Sequence, residues 1–303
     1  MFRRTSAIHA SYHVAMPLPY QRHDKASTRG ESSMDTGLGG KTVIVTGATA
    51  NIGRAIALDF ASEGAKVVVV GRDGDAGARV VARALERGAQ AAIFVAADMI
   101  DHASPARILA MAETLGPVDV LVNNVGGNVG MGVFADSDPA TWAGDIDITL
   151  GTVLRMTHAV LPGMIARKSG CIVNMGSTAG IVGDYMLPVY SAAKAAVHGF
   201  TTVLAKEVGQ HGIRVNCVAP YGTMSSDPDA YSKGSRFNRE TGFMLTAFAD
   251  VAPEEKIKRA RKPVLVRPVA MAEEVSSAVL YLASARASYT TGQIVQVDGG
   301  SLL

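Results

Sequence analysis

The chain has 303 residues, and 48% of them are apolar, which is enough to bury one sizeable core. Its 29 basic and 27 acidic side chains leave a formal net charge of +2, so no strong field draws in nucleic acid or an anionic membrane. Only two cysteines occur, and no Cys or His cluster has metal-ligand spacing. We therefore expect a cytoplasmic protein with two packed thiols, no metal site and small-molecule partners.

Residues 1–38 differ in composition from everything that follows. Arg and His are frequent there, acids are few, and no apolar run is long enough for a signal sequence or an anchor. We interpret this segment as a disordered N-terminal extension with the true start near Met34; a transit peptide is the alternative. From residue 39 onward no stretch has the roughly twenty uninterrupted apolar residues of a membrane span, so we expect no membrane association.

From residue 41 the chain alternates short β-branched runs with longer helical stretches. Most of the short runs are apolar throughout, which is typical of a parallel sheet covered on both faces. The pattern predicts an α/β fold over residues 39–303: a single-domain, Rossmann-type doubly wound parallel sheet of about seven strands with helices on both faces. The predicted strands are 42–46, 66–70, 91–96, 118–123, 171–175, 213–219 and 293–297, and the predicted helices are 52–63, 75–87, 104–115, 139–167, 189–210 and 271–283.

Residues 221–268 form a long connection that breaks this alternation. We interpret the connection as a lid over a hydrophobic, cyclic substrate; an anchored loop or a subunit contact is the alternative, with equal weight. The basic run at 256–262 is typical of a solvated helix face. The lid hypothesis rests on the apolar residues Tyr221, Tyr231, Phe237, Phe243, Met244 and Phe248.

Chemistry-bearing motifs follow the strand ends. "VTGATANIGRAIAL" turns from the first strand into a helix, where free N–H groups can receive a pyrophosphate. "NNVGG" (123–127) ends the fourth strand, and its asparagines can tie neighbouring strand ends together. "VNMGSTAG" ends the fifth strand and places Ser177 thirteen residues before Tyr190. Tyr190 and Lys194 are four residues apart, so they share one helical face.

These motifs, in this order, resemble the short-chain dehydrogenase/reductase family of nicotinamide-dependent oxidoreductases. The resemblance extends over residues 39–303, and it includes "VNCVAPYGT" after the sixth strand and "TGQIVQVDGG" at the carboxyl end. It implies that Tyr190 transfers a proton to or from the substrate oxygen, that Ser177 hydrogen-bonds this oxygen, and that Lys194 holds the nicotinamide ribose. Free tyrosine, with a pKa of about 10, is a poor base near neutral pH. An ammonium about 4 Å away favours the phenolate by roughly 4 kcal/mol at an effective dielectric of about 20.

The resemblance also implies which residues surround the ligands. For the substrate it implies Gly127, Asn128, Thr178, Tyr185 and Tyr221. For the cofactor it implies Gly47, Thr49, Asn51, Ile52, Gly53, Arg72, Asp98, Met99, Asn124, Gly126, Tyr190, Lys194, Pro220, Gly222 and Thr223. A homo-oligomer, tetramer or dimer, is implied through the predicted helices 139–167 and 189–210 and the carboxyl tail.

Four positions depart from the family pattern. Asn51 replaces the middle glycine of the first turn, although asparagine tolerates unusual backbone angles. Val125 replaces an alanine, and Tyr221 replaces a glycine near the expected nicotinamide. Thr149 stands where the family has an asparagine that supports a water relay, and threonine offers fewer donors. The sequence therefore supports Ser177, Tyr190 and Lys194 more firmly than a complete relay.

Cofactor choice depends on the end of the second strand, "VVVVGRD". A carboxylate at the strand tip would favour NAD, but the tip is Gly71, followed by Arg72, whose guanidinium suits a 2′-phosphate. Asp73 can pair with Arg72, and Ala50 and Asn51 stand where many NADP-dependent relatives carry a second basic residue. We predict NADP over NAD at about two to one.

We weigh three classes of function from the sequence. The leading interpretation is an NAD(P)-dependent alcohol dehydrogenase or carbonyl reductase that interconverts a secondary alcohol and a ketone. The alternative is a cofactor-sensing or scaffold protein that keeps the fold without turnover. A sugar-nucleotide epimerase or dehydratase would need a larger carboxyl-terminal domain than this chain has.

Overall fold

A computed structural model describes residues 35–233, 235, 238, 240, 251–252, 254–255, 258 and 260–303. Most of the predicted N-terminal extension lies outside these residues, and so do Phe237, Phe243, Met244 and Phe248 of the lid hypothesis. The start of the folded part differs from the prediction. Leu38 is buried, and the Thr36 carbonyl accepts a hydrogen bond from the Ala285 amide, so these residues belong to the fold rather than to the extension.

The predicted seven-stranded parallel sheet is confirmed, and each predicted strand agrees with the structure to within one residue at either end. The strand order is β3-β2-β1-β4-β5-β6-β9, with every pairing parallel. The two-residue strands β7 and β8 pair with each other and were not anticipated by the sequence pattern. The bounds are β1 Thr42–Val45, β2 Lys66–Gly71, β3 Ala91–Ala96, β4 Val118–Asn123, β5 Gly170–Met175, β6 Ile213–Pro220, β7 Thr223–Met224, β8 Ala270–Met271 and β9 Ile294–Val297.

The helices begin where the sequence offers caps or proline. Asp73 accepts a hydrogen bond from the Ala76 amide at the start of the second helix, and Pro188 occupies the first turn of the seventh. The bounds are α1 Asn51–Ser62, α2 Gly74–Glu86, α3 Ser104–Glu113, α4 Pro139–Ile146, α5 Thr152–Arg167, α6 Ala179–Val182, α7 Pro188–Val208 and α8 Ala272–Ala283.

The predicted single helix 139–167 is interrupted. A π-helical segment, Asp147–Gly151, separates α4 from α5, and such bulges occur often at functional sites. By length and mean hydropathy alone, the whole stretch Pro139–Arg167 could cross a membrane. A core helix has the same properties, and Met156, Val160 and Met164 of α5 are buried in the core of this fold.

Two apolar layers cover the two faces of the sheet, as a doubly wound fold requires. One layer packs α1, α2 and α8 against the strands, with Phe60 and Leu282 fully buried. The other packs α3, α5 and α7 against the opposite face, with Ile108 and Met164 fully buried. This arrangement leaves the carboxyl ends of the strands open to form a site.

Both cysteines are free, buried thiols on neighbouring strands, as expected. Burial raises the pKa of Cys171 to about 11 and that of Cys217 to about 12. A thiol with so high a pKa is protonated near neutral pH and reacts poorly. The two cysteines therefore act as small apolar core residues.

Candidate active site

Glycine and one asparagine shape the turn between β1 and α1. Gly47 has a φ of +65°, and a β-carbon at Gly53 would lie 2.2 Å from the Gly47 carbonyl oxygen, so both positions require glycine. Asn51 has a left-handed φ of 42°, which explains how asparagine replaces the expected glycine. Asn51 Nδ2 also donates to the Thr223 carbonyl, 3.3 Å away, which connects the turn to β7.

The two asparagines at the end of β4 tie strand ends together, as the sequence suggested. Asn124 Nδ2 donates to the carbonyls of Thr46 at 2.9 Å and Gly47 at 3.2 Å, which holds the glycine turn. Asn123 Nδ2 donates to Asn174 Oδ1 at 2.9 Å and so joins β4 to β5 within the core. These bonds fix the edge of the sheet on which the site is built.

A cavity of about 270 Å³ runs along the carboxyl ends of the first four strands. Its wall also contains Ile100, Ser232 and Ser235, which the sequence analysis missed. The predicted cofactor residues in this wall are Gly47, Thr49, Asn51, Ile52, Gly53, Arg72, Asp98, Met99, Asn124 and Gly126.

A second cavity, of about 560 Å³, shares four wall residues with the first, so the two form one continuous cleft. The shared residues are Asn51, Ile52, Asn124 and Gly126. The larger cavity contains the remaining predicted cofactor residues and most of the predicted substrate residues. Its predicted wall residues are Gly127, Asn128, Ser177, Tyr190, Lys194, Pro220, Tyr221, Gly222 and Thr223.

Ser177, Tyr190 and Lys194 all line the larger cavity. Lys194 is only 4% exposed; its Nζ lies 5.9 Å from the centre of the Tyr190 ring and donates to the Met175 carbonyl at 2.6 Å. Ser177 Oγ accepts a hydrogen bond from the Ala179 amide at 3.1 Å, which leaves the hydroxyl proton available to an oxygen in the cavity. The arrangement places a hydroxyl, a phenol and an ammonium around one space.

Thr149 lies in the π-helical segment and is fully buried, outside both cavity walls. Its hydroxyl donates to the Gly127 carbonyl at 2.7 Å and accepts from the Gly127 amide at 3.2 Å. The side chain therefore fixes the loop after β4. A catalytic role for Thr149, which the sequence supports less firmly than those of Ser177, Tyr190 and Lys194, stays a prediction.

Two predicted substrate residues do not line the cleft. Thr178 is completely buried behind the Ser177 turn, where its amide donates to the Pro220 carbonyl. Tyr185 lies outside the cavity wall, with Lys258 Nζ 5.8 Å from its ring centre and Glu255 hydrogen-bonded to its hydroxyl. Sequence position alone could not reveal these directions, because both residues lie in irregular stretches on either side of α6.

A segment that we name the strap, residues 225–233 and 235, crosses beside the smaller cavity. Asp227 forms an ion pair with Arg54 of α1 at 2.8 Å, and the Lys233 amide donates to Asp73 Oδ2 at 3.2 Å. Burial raises the pKa of Asp227, but hydrogen bonding and the Arg54 charge outweigh it and hold the pKa below its usual range. The strap thus brings polar groups to the part of the cleft at the end of β2, on which the cofactor choice depends.

The end of the long connection is anchored beside the larger cavity. Arg261 forms an ion pair with Asp184, and its guanidinium lies 5.4 Å from the centre of the Tyr221 ring. The Tyr221 hydroxyl accepts from the Arg261 amide at 3.1 Å. The Tyr231 hydroxyl bonds to Ser225 of the strap: it accepts from the Ser225 amide and donates to the Ser225 carbonyl, both at 2.8 Å.

The cleft fits an extended dinucleotide in several respects. A β-carbon at Gly126 would lie 2.9 Å from Lys194 Nζ, so glycine at this position leaves room for the ammonium in the wall of the cleft. The amino end of α1 meets the same cleft, where its free N–H groups favour a phosphate. Asn51 Oδ1 is buried, and no described group donates to it, which leaves an acceptor for a ligand hydroxyl or amide. Among the residues described, no His, Cys, Asp or Glu cluster could hold a metal ion.

Comparison with known proteins identifies a family model and relatives that this chain resembles. Residues 41–233 match the family model described as short chain dehydrogenase. The 3-oxoacyl-[acyl-carrier-protein] reductase FabG of Chlamydia trachomatis serovar D is 33% identical over 261 residues, covering 86% of this chain and 96% of that protein. The oxidoreductase UcpA of Salmonella typhimurium is 37% identical over 270 residues, covering 88% and 96%.

A solved structure is similar over nearly the same length. A 7α-hydroxysteroid dehydrogenase, complexed with NADH and 7-oxo glycochenodeoxycholic acid, is 29% identical with a TM-score of 0.73. The match covers 87% of this chain and 94% of that one. Together with the cleft and its three polar side chains, these similarities establish that the chain belongs to the short-chain dehydrogenase/reductase family of NAD(P)-dependent oxidoreductases.

Proposed function

We propose that this oxidoreductase interconverts a secondary alcohol and a ketone, with Tyr190 as general acid and base. The observation that carries the proposal is the placement of Ser177, Tyr190 and Lys194 in one cavity that continues into the dinucleotide cleft. The nicotinamide, when bound, supplies or accepts the hydride. A scaffold without turnover would have no need to keep these three groups together.

Each side chain has a distinct part in the proposed reaction. The Tyr190 hydroxyl transfers the proton to or from the substrate oxygen. The Ser177 hydroxyl, oriented by the Ala179 amide, donates to the same oxygen and fixes its position. The Lys194 ammonium, held by the Met175 carbonyl, favours negative charge on the phenol and binds the nicotinamide ribose.

The proposed substrate is a hydrophobic ketone or alcohol, and a cyclic one fits best. Leu187, Met224 and Val269 line the larger cavity, and Tyr221 adds an aromatic wall. The solved relative is named with 7-oxo glycochenodeoxycholic acid, a cyclic ketone, while FabG is named for a 3-oxoacyl substrate. Both names support a ketone substrate, and the apolar wall supports a bulky one.

A spectrophotometric screen tests the function. NADPH and NADH oxidation is measured against a panel of linear, cyclic and 3-oxoacyl thioester ketones, and the reverse reaction against the matching alcohols. We expect turnover with at least one hydrophobic ketone and faster turnover for cyclic members of the panel. Nucleotide binding without turnover on the whole panel would contradict the proposal and would favour a cofactor-sensing role.

NADP is the proposed cofactor, and the hydrogen bonds that the Asp73 carboxylate already accepts support this choice. Oδ1 of this carboxylate accepts from the Ala76 amide and Oδ2 from the Lys233 amide, so each oxygen already has one donor and less capacity remains for a ribose 2′-hydroxyl. The Ala76 hydrogen bond is the main reason that the pKa of Asp73 lies below its usual value. Arg72, exposed in the cavity wall, remains the group suited to a 2′-phosphate.

Replacing Arg72 with alanine should lower kcat/KM for NADPH by about tenfold or more and leave NADH nearly unchanged, because only the 2′-phosphate loses a partner. Steady-state kinetics with both cofactors measure the effect. Arg83→Ala, which removes the same charge from an exposed position on α2, is the matched control. A wild-type preference for NADH, or an Arg72→Ala variant with full NADPH efficiency, would count against the assignment.

We also propose that residues 221–268 act as a lid. Trypsin should cleave this stretch more slowly when cofactor and ketone are both bound, and Arg261→Ala should reduce the protection because it removes the ion pair to Asp184. Mass spectrometry of timed digests measures the protection. Arg286→Ala, outside the stretch, is the control, and an identical digestion pattern with and without ligands would reject the lid.

A homo-oligomer, tetramer or dimer, and a cytoplasmic location complete the proposal. Leu154 on α5, Val203 on α7 and Leu303 at the carboxyl end are exposed apolar residues on the elements that the family resemblance assigns to subunit contacts.

The buried free thiols agree with a reducing compartment. A small-molecule substrate, rather than nucleic acid or a membrane, agrees with the nearly neutral charge.

A further inference from the structure

His198 lies directly behind the turn that carries Ser177. It follows Lys194 by one helical turn and Tyr190 by two, so all three lie on one side of α7. The Ser177 amide points at His198 Nε2, with 3.4 Å between the two nitrogens. Gly180, at the other end of the turn, borders Cε1 of the same ring. The imidazole therefore spans the turn and contacts both of its ends.

Two glycines make room for this ring. A β-carbon at Gly176 would lie 2.3 Å from His198 Nε2, and one at Gly180 would lie 2.8 Å from Cε1. Distances this short are not compatible with any side chain larger than hydrogen at either position. The turn and the ring thus fit together closely, which a loosely packed surface histidine would not require.

The hydrogen bond from the Ser177 amide defines the protonation state of the ring. A nitrogen that accepts from an amide must carry a lone pair, so Nε2 is unprotonated and the proton is on Nδ1. Burial lowers the pKa of His198, and the Lys194 ammonium on the same helix lowers it further. From β6, Cys217 borders Gly176 but is uncharged, and the sequence of the turn 176–182 contains no ionisable side chain.

We propose that His198 is a positioning residue, which holds the Ser177 turn through its neutral imidazole and releases it on protonation. The proposal rests on the proposed role of Ser177. The position of the turn sets the position of the Ser177 hydroxyl, whose orientation also depends on the Ala179 amide. A displacement of about 1 Å at such a group can cost on the order of a hundredfold in rate.

The direction of the pH effect follows from the lowered pKa. The unfolded chain has an ordinary histidine pKa of about 6.5, and the folded protein binds the proton only at lower pH. As pH falls through the folded pKa, Nε2 takes a proton, the bond from the Ser177 amide is lost, and turnover falls. Stability likewise decreases below about pH 6.5, where the unfolded state binds more protons than the folded state.

NMR spectroscopy of ¹⁵N-histidine-labelled protein tests the hydrogen bonds without any substrate. The resonances of His198 are assigned as those that are present in the wild-type spectrum and absent from the spectrum of His198→Gln. We expect the neutral Nδ1–H tautomer at neutral pH and a pKa below about 6.5. An imidazolium at neutral pH, or the Nε2–H tautomer, would overturn the proposal whether or not the substrate class is correct.

Kinetics then test the positioning role with whichever substrate the panel yields. His198→Gln retains one acceptor and one donor but does not titrate, so it should keep kcat within about threefold and lose the acid limb of the pH profile. His198→Leu should lower kcat by about tenfold or more, with the Kd for NADP⁺ unchanged. Lys206→Met, which alters an exposed side chain of α7, is the control. Wild-type kcat in His198→Leu, or an intact acid limb in His198→Gln, would contradict the role. If the wild type turns over no panel member, the proposed function fails and the tautomer alone decides this proposal.

Discussion

Replacing Tyr190 with phenylalanine should lower kcat by at least about a hundredfold and leave the Kd for the cofactor nearly unchanged. The substitution keeps the ring that lies 5.9 Å from Lys194 Nζ and removes only the transferable proton. Single-turnover kinetics and fluorescence titration with NADPH measure the two quantities on the same preparation.

The matched control is Tyr289→Phe, which removes a phenol from a fully exposed position outside the cavities. It should have wild-type kinetics. Near-normal ketone reduction by Tyr190→Phe would show that another group transfers the proton. A large loss of cofactor affinity in the same variant would show that the phenol acts chiefly in binding.

Replacing Lys194 with methionine should reduce both kcat and cofactor affinity, kcat by about a hundredfold and affinity by about tenfold. Methionine approximates the length of the buried lysine, so it limits the cavity that alanine would leave behind. The substitution removes the ammonium beside the phenol and the donor to the Met175 carbonyl. Equilibrium titration and steady-state kinetics separate the two losses.

Lys206→Met provides the control, because this lysine is exposed on the same helix. It should change neither quantity. A Lys194→Met variant that loses only cofactor affinity, with full kcat at saturation, would contradict the electrostatic part of its role. Thermal unfolding of each variant establishes that the comparison is made between folded proteins.

Local sequence patterns predicted the sheet well because most of the strands are continuous apolar runs. Residues such as Val67 to Val70 are buried on both faces, so their pattern does not depend on distant contacts. The glycine turn was equally predictable, since Gly47 and Gly53 are required by local backbone geometry. Ser177, Tyr190 and Lys194 could be placed near one another because the ends of parallel strands meet at one edge.

Features set by tertiary contacts were not predictable in this way. No proline or glycine pair in the sequence indicates the interruption of the helix at Asp147–Gly151. The strap reaches the cleft through Asp227 and Lys233, whose partners Arg54 and Asp73 are more than 150 residues away in the chain. Thr178 and Tyr185 were misplaced because side-chain direction in an irregular segment follows from packing, not from sequence spacing.

The burial of both thiols has a practical consequence for following the motions of this protein. Cys171 and Cys217 are the only cysteines in the chain. Each is buried and has a pKa well above neutral pH. Maleimide reagents attack the thiolate, so the native protein offers almost no background labelling. A single cysteine introduced at the exposed Lys233 or Lys262 would therefore react selectively with a fluorophore. Changes in the fluorescence of the label would then report movement of the strap or of the end of the long connection in real time.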